Sequence, residues 1–182
     1  MRRWLVTLVA VSLLACGCGD RSLILTVDIL SFLDPSDVSQ SYGPIPGGLP
    51  STTFDVDSRE VSLLPGVQDV TEISSAKLDI GASFDNATGS ADARLLVYIT
   101  SADSADVFSS APIADIPVTL TPSNVTTVST EITSDALAAA LVQEKVKIGL
   151  RIAFDTSASA VPVSGTETIT LLRATVITKK KL

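Results

Sequence analysis

Two cysteines stand two residues apart in the stretch LLACGCGD, residues 13–20, and the chain has no others. Such a pair offers a disulfide, part of a metal site, or a sulfur that carries an attached group. A Cys16–Cys18 disulfide would close a small, strained ring. A zinc or redox centre needs ligands from elsewhere, and the sequence has no histidine and no third cysteine. Modification of one sulfur is the chemistry that needs no partner.

Carboxylates are the other reactive candidates. Asp55 and Asp57, with Asp34 and Asp37 earlier in the chain, form one acidic group, and Asp103 and Asp106 in SADSAD form another. Either is a candidate for Ca²⁺, which takes about six to eight oxygens. Neither spacing completes a D-x-D-x-D-G loop, and solvated turn aspartates are the competing reading. Ca²⁺ is the one candidate cofactor; otherwise none is expected. Without histidine, a Ser-His or Cys-His nucleophile is excluded. A Ser-Lys dyad needs a buried lysine, whereas Lys77, Lys145 and Lys147 fall on the outward positions of alternating segments. Gly47-Gly48 lies among prolines with no helix behind it, unlike a phosphate loop. Sugar chemistry calls for stacking aromatics, and beyond Trp4 the chain has no Trp and only Tyr42 and Tyr98 as tyrosines. No enzymatic activity is expected.

The first fifteen residues give the cysteines their meaning. Arg2 and Arg3 precede an apolar run, Trp4 to Ala15, broken only by Thr7 and Ser12. Twelve residues are too few to cross a bilayer, which takes roughly twenty, but they suit a secretory signal. Leu13-Leu14-Ala15-Cys16 resembles the lipobox of bacterial lipoproteins, with an aliphatic residue three before the cysteine and a small one just before it. The resemblance covers only the first tenth of the chain. It implies cleavage before Cys16, diacylation of its thiol and acylation of the new amino terminus. Cys18 is the alternative, but its upstream run Ala15-Cys16-Gly17 lacks the large aliphatic. Gly17, where inner-membrane retention often has Asp, implies the outer membrane if the cell is Gram-negative. The expected organisation is a signal over 1–15, a lipidated tether over 16–22 and one domain over 23–182. In that setting the sequons at Asn86 and Asn124 read as chance matches.

Cleavage removes Arg2 and Arg3 and leaves 11 basic against 20 acidic residues, a net charge of −9. That balance argues against nucleic acid, whose binding rests on Lys and Arg at phosphates. The expected partners are the membrane, through the lipid, and another envelope protein. Lys179–Lys181 offer contact with anionic headgroups, against a solvated, edge-protecting tail as the plainer reading.

The elements that would position these residues are strands. Val, Ile and Thr are abundant and aromatics few, a composition that favours pleated strands. In KVKIGLRIAF, Lys145–Phe154, apolar residues alternate strictly over ten positions. Ala76–Phe84 and Asp92–Thr100 alternate likewise, and DNATGS between them reads as the turn of a hairpin. Further strands are expected at Leu23–Phe32, Glu60–Leu64, Asp115–Thr121, Thr126–Thr133 and Thr166–Thr178. The first and last of these carry apolar residues on both faces, as central or doubly covered strands do. Pro117 marks Asp115–Thr121 as an edge. A helix of about ten residues is expected after Thr133-Ser134-Asp135, crossing from one sheet to the other. Asp34–Thr53 reads as a long loop. The fold class expected is all-β: an antiparallel β-sandwich, jelly-roll-like, with one short crossover helix.

Two readings follow for the outer surface. Leu96 and Tyr98 fall on the outward side of their strand, and Leu172, Ala174 and Val176 on the second side of the last. They form either a partner-binding apolar patch or positions covered by another element. The function expected is a lipid-anchored, non-enzymatic envelope protein, a structural or protein-binding module. The alternatives are a carrier or sensor of an apolar ligand and a Ca²⁺-binding module.

Overall fold

A computed structural model describes residues 21–62, 72–133, 135–141 and 145–180. Among them are nine strands: β1 (Arg21–Asp28), β2 (Ser39–Ile45), β3 (Thr52–Ser62), β4 (Glu72–Thr88), β5 (Ala91–Ser101), β6 (Ala114–Leu120), β7 (Asn124–Thr133), β8 (Lys145–Asp155) and β9 (Val163–Lys180). Alternation sets their faces. In β8, Val146, Ile148, Leu150, Ile152 and Phe154 are buried, while Lys147 and Arg151 look outward. β6 buries Ala114, Ile116, Val118 and Leu120 and exposes Asp115, Pro117 and Thr119.

The strands form two antiparallel sheets, β1-β9-β4-β7 with β2 also on β9, and β3-β8-β5-β6. Set aside β1, and the order β2-β9-β4-β7 facing β3-β8-β5-β6 is that of an eight-stranded jelly roll. The interior is filled by the inward faces of both sheets, including Leu78, Ile80, Phe84, Leu95, Ile152 and Ile169, each at most 1% exposed. Burying one such side chain stabilises by about 1.5–3 kcal/mol, and this packing holds the fold.

The helix Asp135–Leu141 links β7 of one sheet to β8 of the other, as expected, and buries Leu137 and Ala140 near β4 and β5. It is seven residues long, and residues 142–144 lie outside the described residues. Pro117 does lie on an edge strand.

Four expectations are corrected. The Ala76–Phe84 and Asp92–Thr100 segments are not a hairpin: β4 and β5 belong to opposite sheets and turn their apolar faces toward each other. β4 runs on to Thr88, so only Gly89 and Ser90 connect them. Three Cα steps of about 3.8 Å just span sheets about 10 Å apart. Gly89 turns the chain with φ 70°, where a Cβ would also meet the Pro162 carbonyl at 2.7 Å.

The expected loop Asp34–Thr53 contains a helical turn, Pro35–Val38, and all of β2. Only Tyr42 and Ile45 of β2 are buried, so its strand character comes from pairing with β9 and not from alternation. Leu23–Phe32 is no central strand; β1 lies on an edge against β9, with Ile24 63% exposed. The last strand is central, but its two apolar faces have another cause. Gly81 opposes Leu171 while Ala82 opposes Ile169, so Thr170 is an extra residue, a β-bulge. One extra residue reverses the facing of everything beyond it. Val163, Glu167 and Ile169 point inward before the bulge, and Leu172, Ala174 and Val176 after it.

Candidate functional site

The β2–β3, β4–β5, β6–β7 and β8–β9 connections gather at one end of the sandwich. Thr156, just past β8 and fully buried, pins two of them together. Its Oγ1 donates to the Pro46 carbonyl at 2.8 Å, and its backbone pairs with Gly48 N and Leu49 O at 2.8 Å each. Leu49 N also donates to its hydroxyl at 3.2 Å. Ser159 ties in the third: its Oγ accepts from Ser90 N at 3.2 Å and donates to the Val161 carbonyl at 2.7 Å. These loops are thus set before any ligand arrives, and they hold Leu49 and Val161 out at 37% and 53% exposure.

A pocket of about 220 Å³ opens at the same end, lined by Ser90, Asp92, Thr119, Thr121, Asp155 and Ser157. Asp92 and Asp155 stand directly opposite each other on β5 and β8, an arrangement that costs stability between like charges. Each is offset locally. Thr119 Oγ1 donates to Asp92 Oδ1 at 3.2 Å, and Ser157 N donates to Asp155 Oδ1 at 2.9 Å. Hydrogen bonds from Ser157 hold the Asp155 carboxyl below the usual carboxylate range.

Beneath these loops lies a buried polar group that the sequence reading did not single out. Glu167 points inward from β9, is 0% exposed, and neither carboxylate oxygen has a hydrogen-bond partner among the described residues. Burial pushes its pKa up to about 7. On the neighbouring strands, Tyr42 donates its hydroxyl to Asn86 Oδ1 at 3.2 Å, and Asn86 Nδ2 donates to the Gly89 carbonyl at 2.8 Å. Burial, then the charges of Asp85 and Glu167, push the Tyr42 pKa up to about 12, so the phenol stays a donor. Gly165 leaves room for that phenol; a Cβ there would sit 2.5 Å from its oxygen. Parity was the available signal, because Glu167 shares its side of the strand with Val163 and Ile169.

The residues singled out from sequence are dispersed. Tyr98 is 4% exposed and Leu96 half-buried, so Tyr98 is no open patch. A 3-10 turn, Val107–Ser109, in the β5–β6 connection lies over it. Phe108 packs edge-on to Tyr98 at 5.3 Å, and the Arg151 guanidinium lies 4.4 Å over the Phe108 ring. Gly149, opposite Tyr98 on β8, makes this closeness achievable, since a Cβ there would meet Val107 Cγ1 at 2.6 Å. Asp106 caps the turn by accepting from Phe108 N at 2.9 Å, and Asp103 is exposed beside it. The backbones of Asp55 and Asp57 lie in β3, in the sheet opposite β9, and their side chains lie outside the described residues. Among the described residues, no group of three acidic side chains converges on a metal-sized site. Asn86 is fully buried and unavailable for glycosylation in the folded protein. Cys16 and Cys18 lie outside the described residues.

No known family model and no curated protein matches the chain. Solved structures of similar form include infectious bursal disease virus, Gx strain, at 14% identity and TM-score 0.44, covering 88% of this chain and 36% of that one. The VP2 subviral particle of infectious bursal disease virus is similar at 14% identity and TM-score 0.43, covering 90% and 38%. TmCBM61 in complex with β-1,4-galactotriose is similar at 11% identity and TM-score 0.32, covering 85% and 86%. The chain thus spans little more than a third of the length of the two virus proteins.

Proposed function

We propose that the chain is a lipid-anchored, non-enzymatic β-sandwich of the bacterial cell envelope, outer membrane in a Gram-negative cell, that binds a protein partner through its loop end. The lipobox-like Leu13–Cys16 supports the anchor. The observation that carries the binding role is the pinned loop cluster around Thr156, which displays Leu49 and Val161 beside a formed pocket. Exposed apolar side chains on a rigid scaffold bind with little ordering cost. A carrier of an apolar ligand calls for an internal cavity of several hundred Å³. The exposed pair Leu49 and Val161 on the pinned loops supports surface binding over that reading. For a Ca²⁺ module, the capping role of Asp106 weighs against its use as a ligand.

Cys16→Ser tests the anchor. The substituted chain loses the acyl mass and leaves the membrane fraction; acyl-dependent retention in that fraction would exclude Cys16. Leu49→Asp with Val161→Asp tests the binding end. Cross-links from the loop end to an envelope protein disappear while the melting temperature holds, and survival of those cross-links rules this surface out.

A further inference from the structure

The register of the first sheet brings the start of β1 and the finish of β9 to one point. Arg21 pairs with Lys180 and Ser22 with Lys179, and Glu72 of β4 also faces Lys179. β7 stops at Thr133, opposite Lys77, so the β1–β9–β4 ribbon continues past it. Ile24, exposed by 63%, lies on that ribbon. The first residue of β1 is five residues from Cys16, a tether of at most about 18 Å when extended. Arg21, Lys179 and Lys180 thus bring three of the 11 basic residues expected in the mature chain to the ribbon's end. With Glu72 counted there, this end is net positive while the remainder is strongly acidic.

We infer that this ribbon end is a docking surface for an anionic lipid bilayer, so that the domain stands on the membrane with its loop end pointing away. The inference rests on the lipid anchorage proposed above. Three observations carry it. Arg21, the first residue of β1 and the point where a tether from Cys16 would join, lies at the ribbon's end; the charge there is opposite in sign to anionic headgroups; and the acidic remainder is repelled by them. Juxtamembrane Lys and Arg each strengthen association about fivefold, and an exposed Ile suits the headgroup boundary. The pairing of Lys180 with β1 and the start of β9 at Val163 lie 17 residues apart along one strand. At about 3.3 Å per residue, the loop end stands roughly 55 Å above the surface.

The test uses the full acylated protein with Cys18→Ser and a donor dye on Ala160→Cys in the loop end. It is placed on vesicles that carry an acceptor dye at the headgroups. On phosphatidylcholine containing phosphatidylglycerol, transfer falls to less than half its value on phosphatidylcholine alone. About 1 M salt, which shortens screening to about 3 Å, restores it, as does Arg21→Gln with Lys179→Gln and Lys180→Gln. Equal transfer on both vesicle types from a protein of confirmed acyl mass overturns the docking surface and leaves the anchor standing. Higher transfer on the anionic vesicles overturns it too, because the loop end would then be the nearer one. A protein without acyl mass removes the anchor and the docking surface together.

Discussion

Replacing Glu167 with Gln should stabilise the protein by an amount that grows as pH rises from about 4.5 and is complete by about pH 7. The carboxyl is fully buried without a hydrogen-bond partner among the described residues, and its pKa rises from 4.5 to about 7. Each pKa unit is worth 1.36 kcal/mol, so holding the ionised form inside the domain costs about 3 kcal/mol. The sign follows from proton counts. Below about pH 4.5 the group is protonated in both folded and unfolded chains and contributes no pH dependence. Between there and about pH 7 the folded chain binds the extra proton, so stability falls as pH rises. Above about pH 7 the loss is complete. Denaturant titrations of both proteins at intervals from pH 4 to 9 would measure the difference. It should be small at pH 4 and reach about 3 kcal/mol at pH 8, or about 6–12 °C in Tm for a chain of this size. An amide left unpaired adds a constant offset, so the change with pH is the readout. A stability difference that stays flat across this range would refute the reasoning, because Glu167 would then be solvated or paired.

The same region predicts that Tyr42→Phe leaves Asn86 Oδ1 buried without its donor, at a cost of about 1–3 kcal/mol in denaturant titration. Gly149→Ala drives a methyl into Val107 and Phe108. It should cost about 1–3 kcal/mol and raise the solvent response of Tyr98 fluorescence as the turn lifts. Thr156→Val keeps the shape but removes the hydroxyl that joins Pro46 and Leu49. Stability should drop by about 1–3 kcal/mol, with faster amide exchange at Gly48 and Leu49.

Strands whose side chains alternate strictly were legible from sequence, because in-and-out facing is a local property of extended backbone. β5, β6 and β8 are of this kind. β2 was not, since Gly43 and Pro44 interrupt it and only Tyr42 and Ile45 are buried. The candidate site was less legible still. Its loops are held by backbone carbonyls and by Thr156 and Ser159, types that are ordinary in any turn. Glu167 is detectable only once the facing of β9 is known, and the bulge at Thr170 conceals that facing.

The sequence by itself determined that the chain is an antiparallel β domain with one short crossover helix, and it marked Pro117 for an edge. Those conclusions rest on alternation, helix capping and the missing proline N–H, which act between near neighbours. The tertiary structure decided which strands share a sheet, that β4 and β5 face each other, that a 3-10 turn covers Tyr98, and that Glu167 is buried. Each depends on partners far away in the chain. A hairpin and a sheet-to-sheet crossing present the same pattern of apolar residues, and only the pairings of β4 with β7 and β9, and of β5 with β6 and β8, separate them.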